Sequence, residues 1–384
     1  MLSFKHKKST KVLKMKNPFP QDIYLKRTKP HDEDIRGAYF RDQTAIIHST
    51  PFRRLKNKTQ VFYAPQNDHI CTRIEHVMHV ATIAKTICKG LNHYGWELDV
   101  EMAFAIGLGH DLGHAPFGHD GETILNKLMG GNGAFIHEIH SYRVVEYLAN
   151  KGKGLNLTFG VKDGIISHNG EKYERTLKPA EKPNDLDKIK SRRVVPSSYE
   201  GCVVRFSDKV AYLGRDIEDA IVAGFIKYDD IPGSLKKIFH MSPGRINSAI
   251  IDTLVNDIID TSKDNDYIGT SQTVFDAMVE LARFNYKHIY LNDKHLAFPY
   301  AETILTSLFE YLGNIYTKYG KDYDKYQQHN LKLVRHFGKY LYEMQEFYAN
   351  EKDIKRILGD YIAGMTDFYA IEAMKEISIP KPIV

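Results

Sequence analysis

The chain has 384 residues, a formal net charge of +5, 42% apolar residues and 26% charged residues, the composition of an ordinary globular protein with a large buried core. It has no run of about 18 apolar residues, so we expect no membrane span, and its basic first residues lack the apolar centre of a signal peptide. Its three cysteines are widely spaced, which argues against a disulfide framework and predicts a reduced, cytoplasmic setting. The positive charge favours anionic partners only weakly.

Residues 1–35 are basic and polar, and they predict a loosely held N-terminal arm. A helical pattern starts at Arg36 and reaches a basic segment, residues 41–62, that carries Arg53 and Arg54. Taken alone, this segment fits a solvated basic face equally well. Its position just before a histidine-bearing helix also makes Arg53 and Arg54 candidate phosphate contacts.

Residues 72–94 predict a long helix, because apolar residues recur on one face at helical spacing. His76 and His79 lie one turn apart on this helix. A single histidine on such a helix is more often part of the core than a ligand. The histidine–aspartate pair that follows in the chain makes His76 a strong ligand candidate and His79 a weaker one.

The stretch 107–122 reads GLGHDLGHAPFGHDGE and holds three histidines, two aspartates and a glutamate. His110 and Asp111 are adjacent, and such a mixed nitrogen and oxygen pair suits Mn, Fe, Co, Ni or Zn. These ions take about four to six ligands, so other ligands must come from elsewhere in the chain. His114 and His119 lie in a glycine-rich loop between two predicted helices. The alternative is a histidine-rich surface loop, and the apolar residues on both sides argue against it.

A helix is expected over residues 135–151 and a short one over 164–168. The charged, proline-containing residues 169–198 predict an exposed loop. A long helix over 199–226 then places an acidic and aromatic stripe on one face, because its members are four residues apart. The stripe consists of Asp208, Tyr212 and Asp216.

The remainder of the chain, 231–384, has a helical pattern and is rich in tyrosine and phenylalanine, which is typical of helix packing. It carries no motif to which we assign chemistry. The helices expected there are 246–261, 271–285, 300–318, 322–348 and 353–377.

The order His76, His110–Asp111 and Asp208 resembles the HD domain, an all-helical, metal-dependent phosphohydrolase fold. The resemblance continues, in order, over RDQTAIIHSTPFRRLKNKTQVF, TRIEHVMHVATIAKTI, GHDLGHAPFGHDGE, HEIHSYRVVEYL, DGIISH and YEGCVVRFSDKVAYLGRDIEDAI. These segments are similar to the deoxynucleoside triphosphate (dNTP) triphosphohydrolases, in the dGTPase-like branch. The chain is expected to have an all-α fold with additional C-terminal helices.

The resemblance covers residues 36–226 strongly and the C-terminal third only by helical character. It implies a catalytic core over 36–230, which contains the exposed loop, and a C-terminal helical region over 231–384 packed on that core. The basic arm, 1–35, precedes both.

The resemblance also implies roles for individual residues. One divalent ion, Mn or Fe first and Mg, Co, Ni or Zn as alternatives, would be held by His76, His110, Asp111 and Asp208. His119 and Glu122 match a catalytic pair in which the carboxylate orients the imidazole. His137 matches a histidine near the leaving group, a candidate general acid.

Substrate contacts follow in the same way. Arg73 and Lys209 match phosphate contacts, and a triphosphate with about four negative charges forms strong charge-assisted hydrogen bonds to such cations. The residues that match a snug wall around the deoxyribose and its 3′-hydroxyl, which would exclude a 2′-hydroxyl, are Gln60, Val61, Tyr212 and Asp216. His114 belongs to the same substrate-binding set.

The implied activity is hydrolysis of dNTPs, dGTP among them, by attack of water at the α-phosphorus, to give a deoxynucleoside and tripolyphosphate. Such relatives are commonly tetramers or hexamers, and some need a second dNTP or nucleic acid as an activator. We therefore expect a dNTP substrate, a homo-oligomer, a dNTP or single-stranded nucleic-acid effector, and no membrane partner.

Two alternatives stay open. One is another HD phosphohydrolase, such as a 5′-nucleotidase or a guanosine tetraphosphate hydrolase. A two-metal phosphodiesterase of the same superfamily would need further ligands for a second ion. The histidines numerous enough to serve a second ion are His114, His119, His137 and His168, although the Pro-Phe-Gly-His-x-Gly-Glu context argues against it. The other alternative is a nucleotide-sensing or single-stranded nucleic-acid-binding protein, which the basic residues 1–28 and 188–193 favour.

Overall fold

The computed structural model describes residues 15–32, 35–61, 70–170, 172–291 and 297–379, and these ranges are built almost entirely of helices. Two antiparallel strands of two residues each form the only sheet in the described chain, β1 (Thr176–Leu177) and β2 (Ile268–Gly269). The expected all-α class is therefore confirmed. No helix within the described ranges is long and apolar enough to cross a membrane.

The helices are α1 (Gln21–Leu25), α2 (Ala38–Ile47), α3 (Thr50–Arg54), α4 (Arg73–His93), α5 (Val100–Gly109), α6 (Gly118–Leu128), α7 (His137–Arg143), α8 (Ala149–Gly152), α9 (Phe159–Ile166), α10 (Tyr199–Val222), α11 (Gly233–Ile238), α12 (Asn247–Ser262), α13 (Gln272–Asn285), α14 (Ala297–Tyr319), α15 (Tyr323–Gln327), α16 (Lys332–Glu343), α17 (Ile354–Ala363) and α18 (Asp367–Ser378). Single 3-10 turns lie at Leu55–Asn57, Leu186–Lys188 and Tyr228–Asp230. π-helical turns extend α7 and α13 at Val144–Leu148 and Tyr286–Tyr290.

Two predictions of a single long helix were wrong, because the structure has two shorter helices in each of these spans. The helix expected over 322–348 is α15 and α16, and Glu376 of α18 starts the second by accepting the backbone N–H of Lys332 at 2.6 Å and of Leu333 at 2.9 Å. The helix expected over 353–377 is α17 and α18, and the Thr366 side chain caps the second. The first cap comes from a residue distant in sequence, so local periodicity could not predict it.

The first hydrophobic core surrounds α4, which packs against α5 and α10. The backbones of α4 and α5 approach closely, since a Cβ at Gly107 would lie 2.6 Å from the Ala81 Cα. Helices α2 and α9 cover α5, and α12 packs against α4 and α10. This arrangement brings the first turn of α4, the end of α5 and the middle of α10 together.

The second core joins α6 to the C-terminal helices α14–α18. Phe117, Ile124 and Leu125 contribute to it from the loop before α6 and from α6 itself, and Leu308 and Phe337 contribute from α14 and α16. The helices α12 and α13, which belong to the predicted C-terminal region, instead contribute to the first core. The proposed domain boundary at residue 230 stays a prediction, because packing alone does not show which parts fold independently.

The described part of the predicted basic arm, residues 15–32, lies against the first core. Tyr24 is fully buried, and its hydroxyl donates to the Ser197 carbonyl oxygen at 2.8 Å. Arg27 pairs with the buried Asp42 at 2.6 Å. Residues 1–14 of the arm are outside the described ranges. This stretch of the arm is thus held by specific contacts rather than loosely attached.

The predicted exposed loop, residues 169–198, has little regular structure but is anchored by apolar side chains. Leu177, Leu186 and Ile189 are buried. Leu186 and Ile189 form a small apolar cluster with Tyr142 and with Ile166 at the end of α9. The loop therefore covers one side of the histidine-bearing helices, while many of its other residues are exposed as expected.

Candidate metal centre and active-site cavity

Three helices bring the four predicted ligands to one point. His76 lies in the first turn of α4, whose start is fixed by a capping box between Thr72 and Glu75. His110 ends α5, Asp111 follows it, and Asp208 lies midway along α10. All four side chains are buried.

His76, His110 and Asp208 lie close enough to share one ion, and Asp111 lies beside them. His76 Nε2 lies 3.0 Å from Asp208 Oδ1 and 3.9 Å from Asp111 Oδ2. His110 Nε2 lies 3.5 Å from Asp111 Oδ1 and 3.8 Å from Asp208 Oδ1. The potential ligand atoms of His76, His110 and Asp208 are all within 4.8 Å of one another.

This donor set fits a divalent ion. His110 Nδ1 faces the Gly107 carbonyl oxygen at 2.8 Å, and its Nε2 is buried without a hydrogen-bond partner. Burial would raise the pKa of Asp111, but His110, His114 and Arg73 hold that pKa well below its usual range. The carboxylate is therefore ionised and available to a cation. Two imidazoles and two carboxylates suit first-row transition metals.

Gly170 allows the chain to pass directly beside the metal centre. A Cβ at this position would overlap Asp208 Oδ2. Any other residue would therefore displace either the ligand or the start of the 169–198 segment.

Arg73, predicted to contact phosphate, is fully buried and is paired with a ligand instead. Its Nη1 lies 2.5 Å from Asp111 Oδ2, and its Nη2 donates to the Thr59 carbonyl oxygen at 3.0 Å. The guanidinium also lines the cavity described below. It orients Asp111 in this arrangement, and a contact with phosphate stays a prediction.

A second cluster lies beside the first and contains the predicted catalytic residues. The ligand-type atoms of His114, His119, Glu122 and His137 are all within 4.8 Å of one another. Glu122 Oε2 lies 2.8 Å from His137 Nδ1 and 3.4 Å from His119 Nδ1. Glu122 therefore contacts both histidines. Its shorter contact is with His137 rather than with His119, its predicted partner.

The two histidines beside Glu122 differ in environment. The His119 side chain is 58% exposed, whereas His137 is buried and stacks on His114 with ring centroids 3.9 Å apart. Burial alone lowers the pKa of His137, but Glu138 and Glu122 raise it to about 9. His137 is therefore an imidazolium at neutral pH, and its Nε2 lies 3.3 Å from His168 Nε2.

Both clusters open into one cavity of about 690 Å³. On the far wall, Tyr212 shares a hydrogen bond of 2.5 Å with the Tyr173 hydroxyl, and Tyr290 donates to Asp216. Burial raises the pKa of Asp216 and the hydrogen bond from Tyr290 lowers it. The effect of burial is larger, and the pKa is about 7. The cavity thus has a metal-binding end and a tyrosine-rich end.

Most of the predicted site residues meet at this cavity. Its walls include Gln60, Val61, Arg73, His76, Asp111, His114, His119, His137, Asp208, Tyr212 and Asp216. His110 and Glu122 lie directly behind it, at hydrogen-bonding or ligand distance from these residues.

Three predicted phosphate contacts do not reach the cavity. Lys209 is buried outside the cavity lining and donates to the Arg205 carbonyl oxygen at 2.9 Å. Burial lowers the pKa of Lys209 to about 7. Arg53 bonds to the Thr50 hydroxyl at 3.0 Å, and Arg54 donates to the Gly364 carbonyl oxygen at 2.8 Å. The structure therefore gives these three residues local partners rather than a place in the site.

Sequence analysis missed several residues at the site. Tyr290 and Arg283 reach the cavity from the end of α13 and its π-helical turn, Tyr173 from the 169–198 segment, and Arg192 contacts Glu122. None lies in a recognisable motif. The only available signal was the unusual number of tyrosines in a region with no assigned chemistry.

Two family models match the chain: the HD domain over residues 73–213 and the phosphohydrolase-associated domain over residues 268–376. The fold and the buried histidine–aspartate centre therefore define an HD-domain, metal-dependent phosphohydrolase.

Its curated relatives include the deoxyguanosinetriphosphate triphosphohydrolase-like protein of Caldanaerobacter subterraneus subsp. tengcongensis, 40% identical over 284 residues, or 73% of this chain and 74% of the relative. The protein of the same name from Clostridium perfringens strain SM101 is 38% identical over 315 residues, or 81% and 83% of the two chains. The chain belongs to this family of deoxyguanosinetriphosphate triphosphohydrolase-like proteins.

A crystal structure of a phosphohydrolase from Bacteroides thetaiotaomicron aligns with 88% of this chain and 69% of that chain, at 16% identity and a TM-score of 0.46. That likeness is too distant to bear on the function.

Proposed function

We propose that this protein hydrolyses dNTPs, dGTP among them, to a deoxynucleoside and tripolyphosphate. The observation that carries the proposal is that one cavity joins the two clusters to the wall of Tyr212 and Asp216. These two residues lie four and eight positions after the ligand Asp208 on α10, so they project in the same direction about 6 and 12 Å further along the helix. That separation suits a substrate with a phosphate at one end and a sugar further along.

A metal ion, Mn or Fe first, would be held by His76, His110, Asp111 and Asp208. Such an ion polarises a phosphoryl oxygen and lowers the pKa of the attacking water. The remaining catalytic work in phosphoryl transfer is positioning and charge stabilisation, and the side chains around the cavity supply it.

The histidines beside Glu122 are placed to move protons. Water attacks the α-phosphorus, the bond from phosphorus to the 5′-oxygen breaks, and that oxygen takes up a proton. His119 is exposed to the cavity and oriented by Glu122, so we assign it proton transfer with the water. His137 carries a proton at neutral pH and is our candidate donor to the 5′-oxygen. That donation breaks its contact with His168.

The deoxyribose is assigned to the wall formed by Tyr212, Asp216 and Gln60, with Val61 beside it. Asp216 and the tyrosine hydroxyls offer hydrogen bonds to a 3′-hydroxyl. Tyr173 and Tyr212, held together by their hydrogen bond, are the side chains to which we assign exclusion of a 2′-hydroxyl. Exposed Arg283 at the cavity wall supplies positive charge for the phosphate chain or the base.

The test is a product assay. The protein is incubated with Mn²⁺ and each dNTP alone, then with all four together, and with GTP as the ribose control. We expect deoxynucleoside and tripolyphosphate as products and little turnover of GTP. If a second dNTP is an activator, the rate with all four dNTPs should exceed the rate with each dNTP alone. Inorganic phosphate or pyrophosphate as product would instead indicate another HD phosphohydrolase. Cytoplasmic location and a tetrameric or hexameric state stay predictions, the latter checked by light scattering in the same mixtures.

A further inference from the structure

A short segment of the 169–198 loop, residues 186–194, crosses the second cluster and is fixed at both ends. At its start, the Asp187 carboxylate accepts hydrogen bonds from the Tyr142 hydroxyl at 2.9 Å and the Tyr147 hydroxyl at 2.6 Å. At its end, Arg205 of α10 donates to the Val194 carbonyl oxygen at 2.9 Å. The segment is therefore held in one position relative to α7 and α10.

Between these anchors, Arg192 reaches into the second cluster. Its Nη2 donates to Glu122 Oε1 at 2.6 Å, and its Nε donates to Glu138 Oε1 at 2.8 Å. The same Nη2 lies 3.2 Å from His137 Nδ1. The Arg192 backbone is fixed as well, because Asn169 donates to its carbonyl oxygen at 2.7 Å. One guanidinium thus bridges two carboxylates from different helices.

The buried charges explain why a cation is needed here. Glu122 and Glu138 are both buried, and Glu122 acts against ionisation of Glu138. Buried carboxylates persist only when they are paired and hydrogen-bonded. The planar fork of an arginine suits this task, since it binds carboxylates in a fixed orientation.

The contacts of Glu122 divide between its two oxygens. Oε1 accepts from Arg192 and from the His137 backbone N–H at 3.0 Å. Oε2 faces the rings of His119 and His137. Arg192 therefore donates to Oε1, the oxygen that the histidine side chains do not contact. This hydrogen bond fixes the rotation of the Glu122 carboxylate.

We propose that Arg192 is a positioning residue, which holds the Glu122 carboxylate so that Oε2 is presented to His119 and His137. The proposal rests on the catalytic role of those histidines proposed above. The second cluster has the residue types of a metal site, but the Arg192 guanidinium already supplies the positive charge that a second ion would bring. The histidines of this cluster are therefore available for proton transfer.

The test compares Arg192→Gln and Arg192→Lys with Arg193→Gln, an exposed neighbour whose loss removes the same charge. Turnover of dGTP is measured with Mn²⁺. The titration of His137 is followed by NMR in histidine-labelled, Mg²⁺-loaded protein, with the signal assigned by its loss in His137→Gln. The groups that face His137 or act on this titration are Glu122, His119, Glu138, His114, His168, Arg192 and Asp111.

We expect Arg192→Gln to lower kcat about 10–100-fold, the cost seen when a group that orients an active-site residue is lost, with KM changed less than kcat. Loss of the nearby cation raises the pKa of His137 further above about 9. Arg192→Lys restores the His137 titration but only part of kcat, because a point charge does not fix the carboxylate. Arg193→Gln leaves both unchanged.

An unshifted His137 titration in Arg192→Gln, or an equal fall of kcat in Arg193→Gln, overturns the proposal. So does a variant that only unfolds at a lower temperature with normal kcat. Failure of the proposed function is a separate result, since it is seen in the wild-type protein as absence of tripolyphosphate, whereas the NMR comparison does not depend on turnover.

Discussion

Asp208 is the residue that joins the two ligand histidines across the helices. Its Oδ1 lies 3.0 Å from His76 Nε2 on α4 and 3.8 Å from His110 Nε2 at the end of α5. Burial raises the pKa of Asp208, but the hydrogen bond from His76 and the charges of nearby histidines lower it far more, so the group is ionised at neutral pH. A buried carboxylate surrounded by imidazoles is stable mainly when a cation or protonated histidines compensate it.

We predict that Asp208→Asn weakens metal binding by more than about 100-fold, since even loss of an outer partner costs roughly 10–100-fold. Turnover should fall with metal content. Metal per chain is measured by elemental analysis after gel filtration. The matched control is Asp219→Asn, a change at a buried aspartate of the same helix that accepts from the Cys71 backbone N–H at 3.0 Å. If Asp208→Asn retained one ion per chain, the ligand assignment would be wrong.

For individual residues, sequence analysis predicted the grouping of those that belong to a recognisable motif. His76, His110 and Asp208 were predicted as a group, and the structure brings them together. Lys209 was predicted to contact phosphate because it matches a residue of the family next to Asp208, but adjacent residues on a helix point about 100° apart. Arg192 was missed because its partners, Glu122 and Glu138, are more than fifty positions away, and no local pattern records such contacts.

Among the structural elements, the junction of α17 and α18 is tied to the active-site loop. The Asp367 carboxylate accepts the Thr59 backbone N–H at 2.8 Å and the Phe117 backbone N–H at 2.9 Å. Buried Lys58 donates to the Ala363 carbonyl oxygen at 2.8 Å and also to the His114 carbonyl oxygen. The C-terminal helices therefore hold the chain on both sides of the cavity mouth.

We predict that Asp367→Ala destabilises the protein by about 2–4 kcal/mol, because one buried and one partly buried backbone donor lose their acceptor. Thr59 precedes the cavity residues Gln60 and Val61, so KM for dGTP should rise as well. Urea unfolding and steady-state kinetics measure the two effects. Glu372→Ala is the control on the same helix, since Glu372 forms only an exposed pair with Lys375, and its effect should stay within about 0.5 kcal/mol. Equal results for the two variants would contradict the coupling.

Helix periodicity predicted the existence of most elements but not the points at which they end. The division between α15 and α16 depends on a carboxylate from α18, and the π-helical turn after α13 brings Tyr290 to the cavity. Both features depend on contacts between residues that are distant in the sequence. The strongly periodic α4, by contrast, begins and ends within a residue of its predicted span, because its capping box and apolar face are local.

Across the whole molecule, α6 connects the second core to the cavity. It carries His119 and Glu122 on the side of the cavity, and Ile124 and Leu125 on the side of the second core. The second core also includes Phe117, the residue just before α6, which has a left-handed backbone conformation with φ of 64°. The helix that carries the proposed catalytic pair thus packs against the C-terminal helices of the second core, which sequence motifs alone did not reveal.

We therefore predict that a chain truncated after residue 291 does not fold into an active enzyme, although it keeps all four predicted metal ligands. Removal of α14–α18 exposes the apolar side of α6. The Phe117 backbone N–H loses its acceptor, Asp367, and Lys58 loses one of its two acceptors, the Ala363 carbonyl oxygen. The truncated chain should show no cooperative thermal transition and bind less than one ion per chain. Phe337→Ala in the full chain is the comparison. It should cost about 3–5 kcal/mol as a fully buried aromatic of the second core, yet keep its metal at 25 °C. A truncated chain that unfolds cooperatively with its ion bound would show instead that the first core positions α6 without the second.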